Sequence, residues 1–230
     1  MDHAHLRDDV LAACHALAAY ELGTGIGGHV SVRVPGRDQF WTNVLDRCFE
    51  EMTEEDIVLL DFDGNVLDGG RGVSPGIGFH PGIYGLREDV GAVVHTHGFW
   101  ITAQSGFARP PRMWHNLCTY FYERTAVAPD DTIESIAPAL KDTDVAIVIP
   151  WHGAITVGRT LGEAAALHQT LDYAAKLDVT MSQTSAEPMP DEACLRIRAL
   201  VESADYLEHT WQLMKRRGAN VHGLIPVGAS

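Results

Sequence analysis

Five stretches of the chain have the pattern of helices, and in the three longest of them apolar residues recur at every third or fourth position. We expect helices over residues 6–22, 80–86, 98–105, 161–181 and 190–217. Gly23 and Gly218 stand where glycine commonly ends a helix. Thr160 and Glu163 form a capping box, which predicts the start of the fourth helix.

Shorter stretches alternate apolar and polar residues or consist of β-branched apolar residues, and both patterns predict strands. They cover residues 29–34, 39–44, 57–60, 65–67, 91–97 and 145–149, and a further apolar run covers 149–153. Because strands and helices do not alternate strictly, a mainly antiparallel sheet flanked by helices fits better than a parallel, doubly wound sheet. We find neither a repeat nor a linker. The prediction is therefore one α/β domain over residues 1–230, with helix 190–217 packing on it or on a neighbouring subunit.

Composition narrows the class of protein. The 230 residues are 46% hydrophobic and 21% charged, with a net charge of −14. This acidity argues against a nucleic acid or an anionic membrane surface as partner. The four cysteines are scattered without a C-x-x-C motif, and no apolar run approaches the roughly 18 residues of a membrane span. We expect a cytoplasmic protein without disulfides.

A glycine-rich segment over residues 23–28 matches the spacing G-x-G-x-x-G of dinucleotide-binding loops. Such a loop needs a strand before it and a helix after it, whereas here the predicted helix comes first. The nucleotide hypothesis is therefore disfavoured. A loop that approaches a small ligand closely remains possible, with Gly28 as a candidate contact.

The histidines carry the sharpest chemical signal, since the chain has twelve of them. His95 and His97 are two residues apart at the end of an apolar strand, so both side chains point to one face. His152 ends a second apolar run and could join them. Three neutral imidazoles with an open position are typical of a catalytic metal site. The alternative for each histidine alone is a strand-end residue that forms ordinary hydrogen bonds.

Several blocks together resemble the class II aldolase/adducin family, in the order and spacing of that family. The blocks cover residues 28–33, 54–66, 80–84, 87–97 and 152–164. The resemblance implies a three-layer α/β/α fold around a mainly antiparallel sheet. It also implies a divalent metal held by His95, His97 and His152, and a homotetramer with sites between subunits. Zinc is the expected ion, with iron or manganese as alternatives.

The chain also departs from the family. In sugar-phosphate aldolases a Gly-Asn loop, a Thr-Pro-Ser-Gly turn and a Ser-Ser pair bind the phosphate, but several of these donors are missing here. The expected substrate is therefore small and unphosphorylated. Candidate substrate-binding residues lie in the corresponding segments and in an aromatic loop: Gly28, His29, Asn43, Ser74 and Trp114. The family glutamate that serves as acid or base stands four residues before the helical histidine, and this chain has Gly76 there.

Without that glutamate, another group must carry the proton. His115 lies in a loop between aromatic residues, where an imidazole could titrate near neutral pH. His80 and Tyr120 are the other candidates, although His80 could equally be a structural residue at a helix start. His168 lies near the apolar face of the capped helix and is interpreted as structural.

These observations predict a metal-dependent carbon–carbon lyase that performs retro-aldol cleavage or decarboxylation on a small hydroxy-carbonyl or aromatic acid. One alternative is a non-haem iron oxygenase, because the resemblance extends to prenylated-hydroxybenzoate oxygenases of the same fold. A second alternative is a non-catalytic, adducin-like binding module.

Overall fold

The structure is a computed structural model and describes residues 4–221. Its helices are α1 (Ala4–Ala19), α2 (Phe79–Leu86), α3 (Phe99–Ser105), α4 (Ile133–Ile136), α5 (Leu161–Met181), α6 (Asp191–Glu202) and α7 (Tyr206–Val221). Its strands are β1 (His29–Arg33), β2 (Gln39–Asn43), β3 (Ile57–Asp61), β4 (Val66–Asp68), β5 (Ala92–Thr96), β6 (Thr125–Val127), β7 (Ala146–Ile149) and β8 (Gly153–Gly158). Short 3₁₀ turns cover Phe49–Glu51, Glu54–Asp56, Pro75–Gly78 and Asn116–Phe121.

The eight strands form one sheet in the order β4-β3-β2-β1-β5-β8-β7-β6. All neighbours are antiparallel except β6 and β7. The register between β1 and β5 places His29 opposite His95. Directly paired residues of antiparallel strands point to the same face, so these two imidazoles are neighbours on one side of the sheet.

Helices cover both faces of the sheet. Helices α1 and α5 pack on one face, and α7 packs against these two helices. Helix α2 packs on the opposite face, where the side chains of His80 and Tyr84 meet that of Ser31 on β1. The predicted three-layer α/β/α fold with a mainly antiparallel sheet is thus confirmed.

The end of α1 differs from the prediction. The helix ends at Ala19, and Glu21, not Gly23, adopts the left-handed conformation that follows it, with φ 58°. The amide of Glu21 donates to the carbonyl of Ala18, and the amide of Leu22 donates to that of Leu17. These two bonds form a Schellman motif, in which glycine is the commonest left-handed residue but not the only one that occurs.

The prediction of a single helix over residues 190–217 is wrong. Two helices, α6 and α7, cover this region, and the chain bends between them at Asp205, whose φ is 50°. Gly218 lies inside α7 and does not end it. A β-carbon there would lie 2.8 Å from the amide nitrogen of Ala16, so this glycine permits close packing of α7 on α1.

Two strands, β6 and β8, were not predicted. The apolar run 149–153 is not a strand. Its central residues form the turn between β7 and β8, where Trp151 has φ 58°. The predicted cap of α5 is confirmed, because the Thr160 hydroxyl accepts from the amide of Glu163. The Glu163 carboxylate accepts from the amide of Arg159. Within residues 4–221 no helix combines the length and apolar character needed to cross a membrane.

Candidate metal centre

Three histidines meet at one end of the sheet. His95 lies on β5, His97 follows that strand, and His152 lies in the turn between β7 and β8. The hairpin carries its turn to the end of β5 because β8 pairs with β5, with Ala154 opposite Thr96. The Thr102 hydroxyl donates to the carbonyl of His152 at 3.3 Å and ties the turn to α3.

The ring nitrogens of these histidines converge. The Nε2 atom of His95 lies 2.9 Å from that of His97 and 3.2 Å from that of His152. One ligand atom from each ring lies within 4.8 Å of the others. The Nδ1–H of His95 donates to the carbonyl of Ala154 at 2.9 Å, which leaves the Nε2 lone pair free to coordinate. This geometry fits the predicted three-imidazole site.

The environment of His95 and His97 favours the neutral imidazole, which is the form that binds a metal. Burial, followed by the nearby rings of His29 and His97, holds the pKa of His95 well below its usual value. Burial, followed by the nearby ring of His152, lowers the pKa of His97, and the carboxylate of Asp131 partly offsets this lowering. Neutral nitrogen donors at this spacing fit a divalent ion such as zinc, so the residues present suit the group that the family fold implies.

Glycines make room for the cluster. A β-carbon on Gly27 would lie 2.6 Å from Nδ1 of His97, and one on Gly153 would lie 2.5 Å from the carbonyl oxygen of Thr96. A β-carbon on Gly28 would lie 2.7 Å from the Phe49 ring. The glycine-rich segment therefore packs against a histidine of the cluster. It connects α1 to β1, the reverse of the strand-to-helix order of a dinucleotide-binding loop, and a ligand contact at Gly28 stays a prediction.

A buried chain of hydrogen bonds adjoins the cluster. Nδ1 of His29 lies 2.7 Å from Nε2 of His80, and Nδ1 of His80 lies 2.6 Å from the hydroxyl oxygen of Ser31. That oxygen lies 2.6 Å from the hydroxyl of Tyr84. The ring of His29 also contacts that of His95, with centroids 4.8 Å apart. His29 therefore lies next to the three-histidine cluster, and His80 is connected to the cluster through its hydrogen bond with His29.

Asn43 and Ser74 are largely occupied by backbone contacts. The side-chain oxygen of Asn43 accepts from the amide of Val30, and its nitrogen donates to the carbonyls of Gly28 and Val44. The Ser74 hydroxyl accepts from the amide of Gly76 at 3.2 Å. Asn43 thus positions the Gly28 loop, and Ser74 caps the 3₁₀ turn before α2. Their role as substrate contacts stays a prediction.

The remaining candidates have other neighbours. Nδ1 of His115 accepts from the amide of Leu117, and its ring packs edge-on against Tyr173. The Trp114 indole N–H donates to Asp178 at 3.0 Å. The Tyr120 hydroxyl donates to the carbonyl of Val201.

Burial and nearby acidic groups raise the pKa of the Tyr120 phenol to about 12. No contact described for His115, Trp114 or Tyr120 within residues 4–221 includes the three-histidine cluster. Their proposed roles therefore stay predictions.

His168 is buried and bonded, in keeping with its structural interpretation. Its Nε2 lies 2.8 Å from the hydroxyl of Thr96 and its Nδ1 3.0 Å from that of Thr156. Burial, followed by the neighbouring His97, lowers its pKa to about 3. The ring is neutral and joins α5 to the sheet.

Asp131 is a site residue that the sequence did not reveal. It lies between β6 and α4, far along the chain from the cluster, and its carboxylate influences His97. A β-carbon added to Gly76 would lie 3.3 Å from Oδ2 of Asp131. The only sequence signal is an Asp-Asp pair after a short strand, which by itself is typical of a solvent-exposed turn.

Comparison with known proteins agrees with the fold. The model of the Class II Aldolase and Adducin N-terminal domain matches residues 8–179. The structure of an L-fuculose 1-phosphate aldolase from Glaciozyma antarctica superimposes with a TM-score of 0.87 and 25% identity, over 96% of this chain and 91% of that one.

Two Streptomyces proteins are more similar in sequence. A 4-hydroxy-3-prenylphenylpyruvate oxygenase/4-hydroxy-3-prenylbenzoate synthase from S. roseochromogenus is 33% identical over 73% of this chain and 65% of its own length. The decarboxylase NovR from S. niveus is 32% identical over 64% of this chain and 58% of its own length. The family model spans most of the chain and the fold agrees throughout, so this protein belongs to the class II aldolase and adducin family.

Proposed function

We propose that this protein is a divalent-metal-dependent carbon–carbon lyase, acting by retro-aldol cleavage or decarboxylation on a small hydroxy-carbonyl or aromatic acid. The observation that carries the proposal is the convergence of three Nε2 atoms from His95, His97 and His152. Three protein ligands leave coordination positions for two substrate oxygens. The similarity to an L-fuculose 1-phosphate aldolase and to a decarboxylase supports this reaction class.

An unphosphorylated substrate agrees with the polar groups around the cluster. The Asn43 amide is bonded to backbone groups, and the Thr42 hydroxyl donates to the carbonyl of Val30. Both groups stand where the family turn binds phosphate, yet both are engaged internally. A phosphate would lack the charge-assisted donors that hold it elsewhere, and the net charge of −14 would not attract it.

A bound divalent ion supplies Lewis-acid stabilisation of the negative charge that develops on a carbonyl oxygen as the carbon–carbon bond breaks. The protein's own part is to orient the ligands and to keep them neutral. The Ala154 carbonyl sets the tautomer of His95, and Gly27 and Gly153 leave space for His97. His29, supported by His80, presents its Nε2 side beside the cluster.

Metal analysis combined with an anaerobic assay tests the proposal. Protein loaded with zinc or manganese should release carbon dioxide or an aldehyde from members of a panel of hydroxy-keto acids and aromatic acids. Removing oxygen should leave the rate unchanged. A protein that binds no metal, and gains no activity when zinc, manganese or iron is added, would instead support the adducin-like binding module.

A non-haem iron oxygenase is the second candidate. It is favoured by the 33% identity to an oxygenase and by a set of three imidazoles, which can bind iron. Oxygen uptake that depends on iron and on an aromatic or keto acid would identify this activity. Both hypotheses share the metal ligands, so the identity of the active metal and the oxygen dependence separate them.

The homotetramer is also part of the proposal. Trp151, beside His152, is 80% exposed, and Phe99, close to His97, is 69% exposed. Large apolar side chains this exposed often mark an interface. Light scattering on the metal-loaded protein should give four times the chain mass, and a monomeric mass would contradict this part of the proposal.

A further inference from the structure

The space left by the missing family glutamate is bounded by two polar groups. A β-carbon on Gly76 would lie 3.3 Å from Oδ2 of Asp131 and 3.4 Å from Nε2 of His29. The first atoms of a glutamate side chain would therefore enter the space between these groups. Glycine keeps that space open, and an atom of a ligand can occupy it.

The carboxylate of Asp131 borders the space over Gly76 and is available to bind a ligand. Within residues 4–221, no hydrogen bond or ion pair within 4.0 Å engages it. Its neighbour Asp130 differs, since that carboxylate accepts from both the amide and the hydroxyl of Thr132 and stabilises the turn before α4. The half-buried Asp131 thus contributes negative charge at the open space without a structural partner.

The buried hydrogen-bond chain determines which proton His29 carries. Tyr84 is fully buried, and among the described residues its hydroxyl contacts only that of Ser31. A phenolic hydroxyl that is buried without a hydrogen-bond acceptor costs free energy, so the Tyr84 hydroxyl donates to the Ser31 hydroxyl. Ser31 then donates to Nδ1 of His80, and the Nε2–H of His80 donates to Nδ1 of His29. The remaining proton of neutral His29 lies on Nε2, which faces Gly76.

The distance between the two groups bears on whether one oxygen atom can bond to both. Nε2 of His29 and Oδ2 of Asp131 are more than 4.0 Å apart, since they form no ion pair, and no more than about 7 Å apart, given their distances from the position over Gly76. At separations in this range up to about 5.6 Å, one oxygen about 2.8 Å from each group would satisfy both hydrogen bonds. This oxygen must accept from His29 and donate to Asp131. A hydroxyl group does both, whereas a carboxylate or phosphate oxygen cannot donate and would face the charge of Asp131.

We propose that His29 and Asp131 together bind a substrate hydroxyl in the space over Gly76. The inference rests on the proposed function and refines it: the substrate is a hydroxy acid or hydroxy-carbonyl compound whose anionic group lies away from Asp131. Asp131 then provides, from the β6–α4 connection, the carboxylate that the family glutamate would bring from the segment before α2.

Calorimetric binding of two matched probes to the zinc-loaded protein tests this inference. Lactate carries a hydroxyl, and propionate is the same acid without it. We expect the unmodified protein to prefer lactate. Asp131→Asn should reduce that preference about tenfold, because it replaces a hydrogen bond to a charged group with one to a neutral amide. Gly76→Ala should reduce it similarly by placing a methyl group in the space, while both variants should still bind one zinc ion per chain.

Asp130→Asn is the matched control, since it makes the same charge change one residue away and should retain the full preference. An equal lactate preference in Asp130→Asn and Asp131→Asn would overturn the inference. So would the loss of stoichiometric zinc in Asp131→Asn, which would point to Asp131 as a metal ligand. If the unmodified protein binds no zinc, the proposed function fails as well. If zinc binds but neither Asp131→Asn nor Gly76→Ala changes the preference, only this inference fails.

Discussion

Gly27 packs directly on His97: a β-carbon at position 27 would lie 2.6 Å from Nδ1 of the imidazole. The backbone fixes the position of the added β-carbon, so only the His97 side chain could move to relieve this contact without moving the loop. The loop can therefore take its position beside the cluster only with glycine here, or with a displaced His97 ring.

Gly27→Ala should consequently weaken zinc binding by about 10- to 100-fold, the range seen when groups that orient a ligand are altered. Competition with a zinc-sensitive chelating dye measures the affinity. Gly70→Ala is the control, because no atom lies within 4 Å of the β-carbon it would add. Equal zinc affinity in the two variants would show that Gly27 does not constrain His97.

His97→Ala should reduce zinc affinity by more than about 100-fold, since it removes a proposed ligand rather than a group that orients one. The helices should persist, and circular dichroism will check this. His115→Ala should keep zinc, because the contacts of His115 involve Leu117 and Tyr173. If His115→Ala also keeps full turnover, His115 is not the proton carrier. Stoichiometric zinc in His97→Ala would exclude the proposed site.

The stability of the metal-free protein should depend on pH through His168. Burial lowers its pKa to about 3, below the value near 6.5 of the unfolded chain. Between these values the unfolded state binds more protons, so the free energy of unfolding falls as pH decreases from about 6.5 towards 3. The slope from this group approaches about 1.4 kcal/mol per pH unit.

Urea unfolding at several pH values, with a chelator present, measures this dependence. His168→Gln can still bond to Thr96 and Thr156 but does not titrate, so its unfolding free energy should fall less steeply with decreasing pH. The other buried histidines remain in both proteins, and the difference between the two slopes therefore isolates His168. Parallel slopes would mean that this ring does not titrate as described.

Asp178 should contribute to stability without affecting the metal. Its fully buried carboxylate accepts hydrogen bonds from Arg109, Arg112 and Trp114 and so ties the loop before the fourth 3₁₀ turn to α5. Burial would raise the pKa of Asp178, but these hydrogen bonds hold it below its usual value. Asp178→Ala should lower the free energy of unfolding by about 3 kcal/mol, measured by urea denaturation. A loss of zinc affinity in the same variant would show that this loop also supports the cluster.

Local patterns predicted the parts of this protein that depend on neighbours in sequence. Alternation and β-branched residues identified β1, β2, β3 and β5, and the Thr160 cap gave the start of α5, because strand faces and helix caps are built from residues a few positions apart. The placement of His95 and His97 on one face could be predicted for the same reason. The break between α6 and α7 was not, since Asp205 in a left-handed conformation interrupts an otherwise helical pattern.

The composition of the site was decided by tertiary structure. His152 reaches the other two histidines because a hairpin with Trp151 in a left-handed conformation returns the chain alongside β5. Asp131 reaches the space over Gly76 from a connection more than fifty residues further along the chain. By itself, the sequence determined which residues could act as ligands and which family glutamate is missing. The tertiary structure decided which side chains surround the space over Gly76. The sequence could not show this, because contacts between distant segments depend on strand pairing and packing and leave no periodic signal along the chain.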